Sequence, residues 1–142
     1  MNWTGWVLSG IPERPPTWTE VIIGLLIAIT TTLNLLSPST MSIPGVGIGF
    51  LTFAVALGPA STTALGTRIG QWFREIGAAG RATAIILFAI GVAITYRIEA
   101  VPNSLLHGIG TGGLLATLLY MTAHIISAGE VSGWKPNRKW TE

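Results

Sequence analysis

Polar and apolar residues along this chain fall into blocks. They do not alternate. Four apolar blocks stand out, at roughly 19–37 (TEVIIGLLIAITTTLNLLS), 44–66 (PGVGIGFLTFAVALGPASTTALG), 82–100 and 104–128. A helix needs about 20 apolar residues to cross a hydrocarbon layer about 30 Å thick. Lipid offers no partner to a free N–H or C=O, so each block is expected to close its own backbone bonds as a helix. Continuous blocks also disfavour a barrel, whose strands alternate apolar and polar positions. The pattern predicts an all-α integral membrane protein with four transmembrane helices in one membrane domain, 19–128.

The segments around these blocks follow other patterns. Within the loop 67–81, Ile69, Trp72, Phe73 and Ile76 recur at i, i+3, i+4 and i+7, with Arg68, Arg74 and Glu75 off that line. Such a stripe predicts a short amphipathic helix lying in the membrane surface. Trp3, Trp6 and Val7 suggest a second interfacial anchor within 1–18, ahead of the stiff PERPP run. The opening MNWTGWVLSG lacks the charged head and apolar core of a cleavable leader. Residues 129–142 form a basic tail.

Composition agrees with the pattern. Hydrophobic residues make up 49% of the 142 and charged ones 10%, against about 25% charged in soluble domains. Without cysteine, disulfides, thiolate metal sites and a cysteine nucleophile are excluded. Charge placement sets the expected orientation. Arg14, Arg68, Arg74, Arg81, Lys135, Arg138 and Lys139 fall on one side of a four-span chain, and Arg97 alone on the other. By the positive-inside rule both termini and the middle loop face the cytoplasm, or the interior of a virion. Trp18, Trp72 and Trp134 belong to the same side, where indole favours the headgroup layer. This basic face is expected to engage anionic lipids or an interior partner.

Sliding the chain by 63 positions superposes Gly45, Gly47 and Gly49 on Gly108, Gly110 and Gly112. The same shift brings Ile22 to Ile85, Ile23 to Ile86, Ile27 to Ile90, Thr32 to Thr95 and Leu51 to Leu114. These identities predict two tandem helical hairpins in parallel repeat, since each unit holds an even number of spans. Both glycine runs then sit at the outer ends of spans two and four.

The runs fit helix packing best. Gly45/Gly49 and Gly108/Gly112 are small-xxx-small pairs that let backbones approach. Gly47 and Gly110 lie about 200° round the helix and would open a second face toward an oligomer. Gly49→Leu and Gly112→Leu are expected to disturb assembly more than Gly66→Leu, which lies at a helix end. The alternative is an unwound backbone whose carbonyls border an outer vestibule. An ion filter is disfavoured, because 38–43 leaves no room for a pore helix.

Among polar residues inside the blocks, Thr30, Asn34 and His124 are the expected buried ones. Threonine can bond back to its own helix, while Asn34 and His124 call for a neighbouring helix. His107 and His124, about 25 Å apart along one helix, cannot share one haem. No nucleophile–base set, carboxylate pair or phosphate loop is present, so neither enzymatic activity nor a cofactor is expected. The basic residues are too scattered for a specific nucleic-acid surface.

The sequence therefore points to a small structural or accessory membrane protein, in a homo-oligomer or larger complex of a prokaryotic cytoplasmic membrane or viral envelope. The alternative is a pore, holin-like protein or carrier. Orientation is directly testable in a chain without native cysteine: Pro102→Cys should react with an impermeant maleimide from the side opposite to Arg74→Cys. Labelling of both from one side would refute a four-span topology.

Overall fold

The computed structural model describes residues 11, 12 and 14–132. Among them it is helical throughout, with four helices long and apolar enough to cross a membrane. Helix α1 spans Trp18–Leu35, α2 Ile43–Leu57, α3 Ala64–Glu75, α4 Gly77–Arg97 and α5 Asn103–Ala128. Short 3-10 turns at Pro38–Thr40 and Pro59–Thr62 flank α2.

The helix ends follow local chemistry. Thr17 caps α1: its hydroxyl accepts from the Glu20 N–H, and the Glu20 carboxylate accepts from the Thr17 N–H at 2.7 Å. This reciprocal capping box satisfies donors that a helix start leaves open. Ser42 does the same for α2, accepting from the Gly45 N–H at 3.3 Å, and Thr63 for α3, accepting from the Gly66 N–H at 3.1 Å. Gly129 closes α5 in the left-handed region, φ 65°, with its N–H on the Ile125 carbonyl.

Two boundaries differ from the sequence expectation. The second span does not run on to Gly66 as one helix. Proline lacks the N–H the helix needs and disfavours a helical residue before it, so α2 stops at Leu57 and a 3-10 turn follows. The Ser61 hydroxyl donates to the Leu57 and Gly58 carbonyls left at the break, at 3.0 and 2.6 Å. Residues 64–66 belong instead to the amphipathic α3. The third span starts earlier than 82, at Gly77, whose φ of 69° makes the corner out of α3.

Three of the long helices pack together. Helices α2 and α5 run parallel in extended contact, and α1 lies antiparallel on α5. The arrangement places Trp18, Leu57 and Ala128 at one end, and Leu35, Ser42 and Ser104 at the other, where the Ser42 N–H donates to the Ser104 carbonyl at 2.9 Å. Helix α4 stands apart: none of its residues is buried. Large apolar side chains face outward on every long helix, such as Leu33, Ile48, Phe88 and Ile126. Such a surface suits lipid, whose tails are as apolar as leucine.

A branched residue at the α5 terminus would have to leave the left-handed region or hold it under strain. Gly129→Val should destabilise the fold by about 1–2 kcal/mol, measured as thermal unfolding in detergent, whereas Ser127→Ala should leave it unchanged.

Candidate functional site

Helices α2 and α5 approach each other backbone to backbone. A Cβ placed on Gly45 would lie 2.7 Å from the Leu105 carbonyl oxygen and 3.3 Å from Gly108 Cα. One on Gly108 would strike the Ser42 carbonyl and lie 3.1 Å from Gly45 Cα. One turn further on, a Cβ on Gly49 would overlap the Ile109 carbonyl, and one on Gly112 the Val46 carbonyl. Real side chains tolerate no such distances, so at four positions only glycine lets α2 and α5 meet. A neighbouring glycine, Gly113, abuts the Phe53 ring, with a Cβ there 2.9 Å from ring carbons.

These contacts exchange under a single offset. Gly45 on Leu105 becomes Gly108 on Ser42 when 63 is added to one partner and taken from the other. Gly49 on Ile109 becomes Gly112 on Val46 in the same way. Gly47 and Gly110 take no part: a Cβ on either meets nothing within 4 Å, and both are exposed. Both runs are helical, α2 from Ile43 and α5 from Asn103. Their carbonyls are thus used within helices, and neither run is unwound.

Polar residues attach α1 and the segment before it. The Asn34 amide donates to the Thr111 hydroxyl at 3.2 Å, and Thr111 is buried. Thr30, expected inside, is exposed and bonds back to the Leu26 carbonyl at 2.9 Å. Its neighbour Thr31 takes the buried position, with 2% of its surface accessible. The Thr31 hydroxyl has no hydrogen-bond partner among the described residues. One residue of helix rotates a side chain by about 100°, and sequence alone could not say which threonine of three faced α5.

His124 is buried on α5, but its partner is not a helix. Its Nε2 lies 2.9 Å from the Arg14 carbonyl in the extended segment before α1. A carbonyl only accepts, so Nε2 carries the proton. The same segment is held by the Ser132 N–H donating to the Pro16 carbonyl at 2.8 Å. Arg14 then pairs with Glu20 through two nitrogens, at 2.5 and 3.1 Å. The hydrogen bond to Glu20 holds the Arg14 pKa above its usual value, against a smaller opposing effect of burial. Sequence reasoning missed this clasp, whose only prior signal was a stiff proline-rich run.

The expected interfacial residues Trp18, Arg68, Trp72, Arg74 and Arg81 are exposed. Leu65, Ile69, Trp72 and Phe73 of α3 expose their apolar surface in the same helix that carries the two arginines. Trp134, Lys135, Arg138 and Lys139 lie outside the described residues. Gly66 is also closely packed, in the first turn of α3: a Cβ there would overlap the Ala60 carbonyl and lie 2.8 Å from Ser61 Cα. Comparison of the chain with protein-family models, curated proteins and solved structures finds no match.

The glycine geometry separates two classes of substitution. Gly49→Ala and Gly112→Ala should each cost about 1–3 kcal/mol, the range of overpacking in a close contact. Gly47→Ala and Gly110→Ala should be neutral, or stabilise by up to about 1 kcal/mol through helix propensity. Thermal unfolding in one detergent compares all four, and equal effects would refute the contact.

Proposed function

We propose that this chain is a small structural or accessory membrane protein, with no enzymatic activity of its own. It is built as two tandem hairpins and takes part in a homo-oligomer or larger membrane complex. The observation that supports this most is the dry contact between the glycine runs. Gly45, Gly49, Gly108 and Gly112 bring backbone onto backbone, and a wet path cannot pass where even a methyl group does not fit. Small residues drive association of helices in lipid through such close packing.

The duplicated-hairpin origin draws support from the 63-residue offset that relates both the sequence identities and the contact pairs. The offset stops short of the first helix in each unit: α1 packs on α5, whereas α4 has no buried residue. In this proposal α4 and the open Gly47/Gly110 face supply the surfaces for further copies or another subunit. The basic residues of α3 and the loops face the cytoplasm of a prokaryotic cell, or the inside of a viral envelope, and rest on anionic headgroups.

Reconstitution into liposomes tests the proposal. Single cysteines at Gly47, Gly110 and Gly91 should give cross-linked dimers, while trapped dye is retained. Leakage at low protein density would replace this function with a pore or holin-like one. Absence of cross-links at all three positions, in a protein that stays monomeric, would refute self-assembly.

A further inference from the structure

Beyond the glycine contact, α2 and α5 part around a cavity of about 530 Å³. Small side chains at Ala54 and Ala116 leave the space, and Phe50, Leu57, Leu119 and Tyr120 surround it. The break at Gly58 and Pro59 ends α2 at its rim. From Phe50 to Leu57 a helix rises only about 10 Å, so the cavity occupies one half of a hydrocarbon layer about 30 Å thick. It lies at the end of the bundle that holds Trp18 and Ala128.

We propose that this cavity is a binding site for an acyl chain of a glycerophospholipid, drawn from the leaflet at the Trp18–Ala128 end. Three features of the cavity fit that occupant. Its wall is made of apolar side chains, save for the Tyr120 hydroxyl, so water finds too few of the polar partners it needs there. Its volume matches about one turn of a helix 10–12 Å across, too little to seat a spanning helix of another copy. And a charged pair sits near that end: the Arg14 carbonyl accepts from His124, one turn along α5 from Tyr120, and the Arg14 guanidinium pairs with Glu20, both residues being partly accessible. A cation and an anion side by side complement the phosphate and ammonium of a zwitterionic headgroup. The site stands on the four-span architecture, not on the assembly role proposed above, and the two fail separately.

The test reconstitutes the full chain into vesicles of phosphatidylethanolamine and phosphatidylglycerol in equal parts, doped with a phosphatidylethanolamine bearing a diazirine in its acyl chain. Mass spectrometry of the cross-linked peptides maps the labelled residues. Helix α4, in which no residue is buried, serves as the internal measure of bulk lipid contact. Labelling should concentrate on Phe50–Leu57 and Ala116–Tyr120. Ala116→Phe should lower it there by about tenfold and leave α4 labelling unchanged. Ala54→Phe, at a half-buried position, gives the same reading if Ala116→Phe does not fold. Cavity labelling equal to that of α4 and indifferent to both fillings would overturn the site. So would labelling by a diazirine fatty acid but not by the phospholipid. A cavity free of label, with cross-links there to a second copy, would overturn it as well.

Discussion

Backbone touching backbone at four glycines is the constraint on which the arrangement rests. In water, apolar side chains would draw α2 and α5 together; in lipid, tails are as apolar as leucine and supply no such force. What remains is van der Waals attraction, which falls off steeply once a gap opens. Gly45, Gly49, Gly108 and Gly112 remove the side chains that would keep two helix backbones apart. The contact is a matter of what is missing, and any added carbon acts directly on the helix separation.

The rest of the packed bundle follows from that one seam. With α2 and α5 parallel and in register near Ser42 and Ser104, their opposite ends part and leave the apolar cavity between them. Helix α1 lies along α5 by a different device, a single amide-to-hydroxyl bond between Asn34 and Thr111 beside the buried Thr31. A polar clasp then closes the far end. His124, Arg14 and the Pro16–Ser132 bond tie the chain before α1 to the end of α5. Polar side chains thus fasten α1 and its leading segment, whereas the glycine seam sets backbone against backbone, with the Ser42 N–H on the Ser104 carbonyl at its end.

Helix α4 marks the limit of internal order. It is as long and as apolar as its counterparts, yet no residue of it is buried. Position 34 of α1, which bonds Thr111, corresponds by the 63-residue offset to Arg97 of α4, and Thr111 to Ile48. That pair cannot repeat the bond. The attachment of one outer helix therefore has no chemical equivalent for the other, even though the seam between the inner helices treats both partners alike.

Block length and the absence of alternation were enough to read four helices long and apolar enough to span a membrane, because the bilayer imposes its thickness and its intolerance of free backbone on any chain that crosses it. The stripe of Ile69, Trp72, Phe73 and Ile76 was enough to read the amphipathic helix. The helix starts at Thr17, Ser42 and Thr63 depend on side chains three residues or fewer away, and so were equally local. The partners of those helices were not local. Which threonine of 30–32 turned inward, which glycines met a neighbour and which met open space, and that His124 bonded an extended segment instead of a helix, all depend on rotation and register between elements far apart in the chain. A helix turns by about 100° per residue, and nothing in an apolar block says toward what. Sequence determined which helices are long and apolar enough to cross a membrane; only tertiary packing decided what touches, because contact between apolar helices is set by their shapes and not by the hydrophobicity that pattern records.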